Sequence, residues 1–161
     1  MNWTTAVVLI LDQISKYIVV QAMDLKSRGV IEVLDPYLML KMAWNRGVNF
    51  GLFANHGDAT RWGLIIIALA ISAWIIWWMR RDRPGFWVQV SAGLVLGGAV
   101  GNVIDRVIYG AVADFINMSC CGFVSPWSFN VADIAIFVGA VGLVLLSGDG
   151  SKDSDATDKP G

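Results

Sequence analysis

The chain has 161 residues, 56% of them hydrophobic and 16% charged, with a net charge of −1. That length suits one domain, and the charged share lies below the roughly 25% usual in soluble domains, which points to lipid as the solvent. The charge balance gives no basic surface for nucleic acid. The adjacent Cys120 and Cys121 lack the spaced pairs of a zinc site or disulfide framework, and a lone His56 excludes a two-histidine metal motif.

Taken in chain order, the first apolar run covers 3–23. Asp12 and Lys16 interrupt it, it has no basic start, and it lacks a small-x-small cleavage site, so it reads as a retained span rather than a removable leader. Further runs at 61–79, 86–104 and 131–147 are each long and apolar enough to cross a hydrocarbon core of about 30 Å as helices. A stretch such as LIIIALAISAWIIWWM has no two-residue alternation, so barrel strands are excluded. Trp62, Trp77, Trp78, Trp87 and Trp127 fall near span ends, as interfacial aromatics do. The link between the second and third spans holds Arg80, Arg81 and Arg83 and turns at Pro84-Gly85. The positive-inside rule makes this link cytoplasmic. Both termini are then inside, and segments 24–60 and 105–130 are outside.

In the first outer segment, YLMLKMAWN alternates partly and predicts one or two short strands on the membrane surface. The expected fold is therefore an all-α integral membrane protein: four transmembrane helices with a small extracytoplasmic β-rich surface segment. Residues 1–147 form one membrane-embedded domain, and 148–161 form a polar tail of disordered composition.

Charged groups inside spans are costly and are functional candidates by default. Asp12 and Lys16 share a helix face four residues apart, either as a structural ion pair or in contact with substrate. Gly93, Gly97 and Gly101 form a stripe that allows close backbone approach; Gly93 suits helix packing, while Gly97, Gly98 and Gly101 fit either packing or a substrate helix. Asn102, Asp105 and Arg106 follow on one face, where an Asp–Arg pair suits a helix anchor. Asp114 and Asp133 flank the last outer loop, which can bring them together. Two carboxyls at one site do not both ionise easily, so one keeps a proton. The ionised partner can then take a proton from water while the other polarises a carbonyl. Asp133 also fits the first turn of a helix capped by Asn130, where an anion is favoured; Asp114 reads as a loop residue without that benefit. The proton is therefore expected on Asp114.

Four blocks together resemble the lipoprotein signal peptidase (signal peptidase II) family. They are Leu11-Asp12-Gln13-Ile14-Ser15-Lys16; Asn45-Arg46-Gly47-Val48-Asn49-Phe50-Gly51; the run from Gly97 through Asn102, Asp105 and Arg106 to Asp114-Phe115-Ile116; and Phe129-Asn130-Val131-Ala132-Asp133. The resemblance implies an aspartic endopeptidase of the bacterial cytoplasmic (inner) membrane, with its site toward the outer face. It implies cleavage of prolipoproteins before a diacylglyceryl-modified cysteine, with membrane lipid around the substrate, globomycin-type inhibitors as ligands, and no metal or other cofactor. Asp114 and Asp133 match the catalytic pair. Asp12, Lys16, Asn45, Gly47, Asn102, Asp105, Arg106 and Asn130 match its support and substrate-binding surround. Asn49 departs from the small apolar residue more usual there, and the acidic tail departs from the family's basic one. The segment 45–53 is expected to form a cradle or lid.

Other readings use the same residues differently. Asp12, Lys16 and Asp133 could line a proton or ion path. A membrane scaffold explains the glycine stripe but not the paired aspartates. A Cys–His site from His56 with Cys120 or Cys121 lacks a third orienting group. Ser15 and Lys16 point apart on a helix, so they form no dyad.

Overall fold

The computed structural model describes residues 1–35, 37–47, 57–119 and 125–147. Helix α1 (Asn2–Lys16) runs on into a π-helical segment (Tyr17–Ala22), then a short α2 (Leu25–Arg28). Strands β1 (Val30–Leu34) and β2 (Leu38–Asn45) follow, then α3 (Gly57–Asp82), α4 (Phe86–Tyr109), β3 (Val112–Met118) and α5 (Val131–Ser147). Three stretches are long and apolar enough to cross a membrane: Asn2–Ala22, Asp58–Asp82 and Phe86–Tyr109. The apolar α5 has 17 residues, or about 26 Å at 1.5 Å per residue. It therefore falls just short of the hydrocarbon thickness.

Helix α4 is the centre of the bundle, because its small residues let the other helices close on it. A Cβ at Gly97 would lie 2.7 Å from Val8 Cβ and 2.8 Å from the Thr5 carbonyl, and one at Gly98 would strike the Ala132 carbonyl. A Cβ at Gly101 would lie 2.5 Å from Asp12 Oδ2. The stripe is thus filled by α1 and α5, which removes the reading that Gly97, Gly98 and Gly101 leave room for a substrate helix. The outward faces carry Ile66, Ile67, Phe137, Val144 and Leu145, all exposed, as lipid contact requires.

The three strands form one antiparallel sheet in the order β1-β2-β3. The small sheet accords with the expected β-rich surface segment, but its third strand comes from segment 105–130, where no strand was expected. The sheet packs on the π segment through Val19, Leu25 and Phe115. Helix α4 also runs further than 86–104. It ends at Tyr109, where Gly110 adopts φ +76 and its N–H bonds the Arg106 carbonyl at 3.1 Å. Only glycine takes that left-handed cap without cost, and the chain turns there into β3. Of the expected cradle or lid at 45–53, residues 48–53 lie outside the described residues, as do Asn49, His56, Cys120, Cys121 and the tail.

Candidate active site

The site is built where β3, the end of α4 and the start of α5 meet. Asp114 sits in β3, not in a loop as the sequence reading had it, opposite Ala43 of β2. The β2–β3 register slips by one residue between Leu40 and Ala43, a bulge beside the site. From the other edge of β3, Phe129 exchanges main-chain bonds with Ile116 at 2.8 and 3.0 Å. That bridge delivers Asn130 and α5 to Asp114. Asn117, wholly buried, ties the approach down by donating to the Ser125 and Trp127 carbonyls at 3.0 and 2.8 Å.

Asn130 joins the two carboxyls. Its Nδ2 donates to Asp114 Oδ1 at 2.7 Å, while its main-chain N–H donates to Asp133 Oδ2 at 3.2 Å. In return, Asn130 Oδ1 accepts the Asp133 N–H at 3.0 Å. This reciprocal pattern is a capping box with Asp in the third helical position. It bears out the expected cap, and it fixes where the Asp133 carboxyl points. Asn102 Nδ2 donates to Asp133 Oδ1 at 2.9 Å, and Asn102 Oδ1 accepts from Asn130 at 3.3 Å. Asn45 Nδ2 donates to Asp114 Oδ2 at 3.0 Å, while Asn45 Oδ1 accepts the Gly47 N–H at 2.8 Å. Gly47 turns there with φ +88, and a side chain at that position would strike Leu64.

The remaining residues of the surround divide into two groups. Arg106 donates to the Asn102 carbonyl at 3.3 Å, and its charge acts on Asp133, Asp114 and Asp105. Asp105 is not its ion-pair partner: Lys16 Nζ lies 2.8 Å from Asp105 Oδ2 and 2.7 Å from Asp12 Oδ2, all three side chains buried. Asp12 and Lys16 thus belong to one buried ion network with Asp105. Gln13, assigned no role by the sequence motifs, joins it. Its Nε2 lies 3.1 Å from Asp12 Oδ2 and 3.3 Å from Asp105 Oδ1. Among the described residues, no group of three His, Cys, Asp or Glu side chains is arranged to hold a metal ion.

Asp114 is only 3% exposed. Burial, and then the negative charge of Asp133, push its carboxyl from 3.8 up to about 6, against the donors of Asn45 and Asn130 and the charge of Lys16. A groove of about 440 Å³ opens on it, walled by Ala43, Trp44, Asn45, Pro126, Trp127 and Ser128. Asp114, the buried and protonatable member of the pair, therefore lines an open groove.

The sequence profile of Signal peptidase (SPase) II matches residues 4–147, nearly the whole of the described chain. The chain belongs to the signal peptidase II family. It is 41% identical over 157 residues to the lipoprotein signal peptidase of Methylobacterium sp. (strain 4-46), covering 98% of this chain and 93% of that one. It is 38% identical over 154 residues to that of Sphingopyxis alaskensis, with coverage of 94% and 88%. A bacterial membrane enzyme solved by the in meso method superposes with a TM-score of 0.78 at 25% identity, covering 99% and 93% of the two chains. A second such enzyme gives 0.77 at 28% identity and 89% of each chain. The protein is thus a membrane-embedded protease that removes signal peptides, and the proton- or ion-path reading is not favoured.

The raised pKa of Asp114 sets an expectation for this peptidase. If one proton must reside on the carboxyl pair, kcat/KM should fall as pH rises through about 6. Asn45→Ala removes a donor that favours the ionised form, so its alkaline limb should lie at higher pH. Rates with a lipidated precursor between about pH 5 and 8 check both points. A limb unmoved by Asn45→Ala would count against Asp114 as the titrating group.

Proposed function

We propose that this signal peptidase cleaves diacylglyceryl-modified prolipoproteins just before the lipidated cysteine, with Asp114 and Asp133 as its catalytic pair. The observation that carries the assignment is the double use of Asn130, which touches both carboxyls at once. Asp133 takes a proton from water, and the water oxygen attacks the scissile carbonyl carbon. Asp114 gives its proton to the carbonyl oxygen, forming a neutral gem-diol. On collapse the C–N bond breaks, Asp133 passes its proton to the leaving amine, and Asp114 recovers a proton from the diol. No covalent intermediate and no metal ligand set is required. Arg106 sits where its charge acts on both members of the pair.

The chain crosses the bacterial cytoplasmic membrane four times, with α5 as the short fourth span. Arg80, Arg81 and Arg83 at the α3–α4 link favour a cytoplasmic position for that end. Both termini then lie inside, and the sheet and carboxyl pair face outward. Arg61 Nη2 supports this grouping by bonding the Val107 carbonyl at 2.9 Å, which joins the start of α3 to the site end of α4. The signal peptide enters as an apolar helix and the acyl chains stay in lipid, supplying much of the binding. Globomycin-type cyclic peptides are expected to occupy the groove at Asp114.

Purified protein in lipid nanodiscs should cleave a diacylglyceryl-modified precursor at least about tenfold faster than the unlipidated form at low concentration, the difference lying mainly in KM. Equal cleavage of the two forms contradicts the substrate assignment.

A further inference from the structure

The catalytic carboxyls come from different elements, and a second pair of buried carboxylates grips the main chain immediately ahead of each. Asp105 Oδ2 accepts the N–H of Ala113 at 3.1 Å, one residue before Asp114. Asp12 Oδ1 accepts the N–H of Ala132 at 3.0 Å, one residue before Asp133. Lys16 and Gln13 each bridge Asp12 to Asp105. We propose that Asp12 and Asp105, tied together by Lys16 and Gln13, are positioning residues that set the spacing of Asp114 and Asp133 by holding the peptide N–H before each. This rests on the assignment of Asp114 and Asp133 as the catalytic pair.

The argument is geometric. Each anchor lies next to a catalytic residue in the chain, so its own catalytic carboxyl is displaced with it if the anchor moves. The anchors are themselves fixed: Asp12 and Asp105 are 0% and 1% exposed. A carboxylate suits the task because it can accept from a peptide N–H and from a cross-link together. Asp12 divides the work between its oxygens, with Oδ1 on Ala132 and Oδ2 on Lys16 and Gln13. Asp105 holds Ala113 and Lys16 through Oδ2 and Gln13 through Oδ1. Lys16 also reaches Asn102 Oδ1 at 3.5 Å, and Asn102 in turn holds Asp133. The network therefore connects α1 to both sides of the site without any member accepting from or donating to a catalytic carboxyl except Asn102. A packing role alone needs a buried ion pair but gives no reason for anchors at the same offset from both catalytic residues.

The test compares Asp105→Ala, Asp105→Asn and Gln13→Ala in the full chain in nanodiscs, with a lipidated precursor. An asparagine oxygen can still accept from Ala113, so Asp105→Asn should keep kcat within about tenfold, whereas Asp105→Ala should lose about a hundredfold, the cost of a misplacement near 1 Å. KM should change by less than about twofold in both. Gln13→Ala, which removes one bridge, should lose less in the same direction. The charged groups acting on Asp114 are Asp133 of α5 and Lys16 of α1, and Arg106 of α4 acts on it in turn. A wider carboxyl spacing weakens the effect of Asp133, so the alkaline limb of kcat/KM should move to lower pH in Asp105→Ala and in Gln13→Ala. If Asp105→Ala does not fold, Gln13→Ala decides. Lower thermal stability with unchanged kcat and an unmoved limb in the folded variants overturns the proposal. Asp114→Asn in the same assay separates the two ideas: its full turnover removes the catalytic pair itself, whereas its inactivity beside unaffected Gln13→Ala and Asp105→Ala variants removes only the positioning role.

Discussion

Asp114→Asn and Asp133→Asn should each lower single-turnover cleavage by about ten-thousandfold, and the double variant should be no slower than the worse single one. In the proposed mechanism both carboxyls act on the same transition state, so once either is lost the other has nothing left to contribute. Stability should behave differently from activity. The folded state raises Asp114 from 3.8 to about 6, so it binds that proton more tightly than the unfolded chain does. By linkage, the ionised carboxyl opposes folding at neutral pH, and that opposition fades as pH falls through about 6 toward 4. Asp114→Asn removes the ionisation and keeps an oxygen for Asn130, but it sets an amide nitrogen against the Asn45 donor, so its Tm at pH 7 should stay close to that of the wild type. A catalytic residue is expected to behave in this way, whereas a structural carboxylate would lower the Tm when neutralised. Turnover surviving in either variant, or losses that multiply in the double variant, would count against a shared transition state.

Replacing Asn130 with Ala should have the next largest effect, because one side chain serves three ends. Loss of its Nδ2 frees Asp114 Oδ1 and breaks the bond to Asn102; loss of its Oδ1 uncaps α5. Loss of a helix cap of this kind costs about 1 kcal/mol, so a fall of a few degrees in Tm is expected. The released carboxyl orientation should lower kcat about a hundredfold. Asn130→Asp separates the two roles. It keeps the cap oxygen and most of the stability, but it replaces the donor to Asp114 with another acid, so it should fold and fail to cleave. Measuring kcat and Tm for both variants checks this. Near-normal cleavage by Asn130→Asp would show that Asn130 works only as a cap.

The sequence revealed those parts of the protein that rest on local chemistry. Long apolar runs announce α1, α3, α4 and α5, since a helix in lipid must satisfy its own backbone. The Asn130-x-x-Asp133 spacing announces a capping box, because both bonds lie within one turn. What was missed depends on distant partners. Strand β3 is buried on nearly all of its residues, so it shows no alternation, and its partner β2 lies far back in the chain. Asp114 was therefore read as a loop residue. Asp105 and Arg106 looked like the end of a span because they are charged. The helix continues through them since Lys16, Gln13 and the Ala113 N–H satisfy Asp105. Gln13 stands in the first matching block, but its role shows only when α1 is set against α4, where it reaches Asp105.

The proposed hydrolysis requires one proton at Asp114 and none at Asp133, and isotope-edited infrared spectroscopy of the peptidase in nanodiscs reads that directly. Lowering pH through about 6 should bring up one protonated-carboxyl band. That band should be absent from Asp114→Asn and should appear only at lower pH in Asp133→Asn, where the neighbouring negative charge is gone. A band that persists unchanged in Asp114→Asn and vanishes in Asp133→Asn would contradict the assignment.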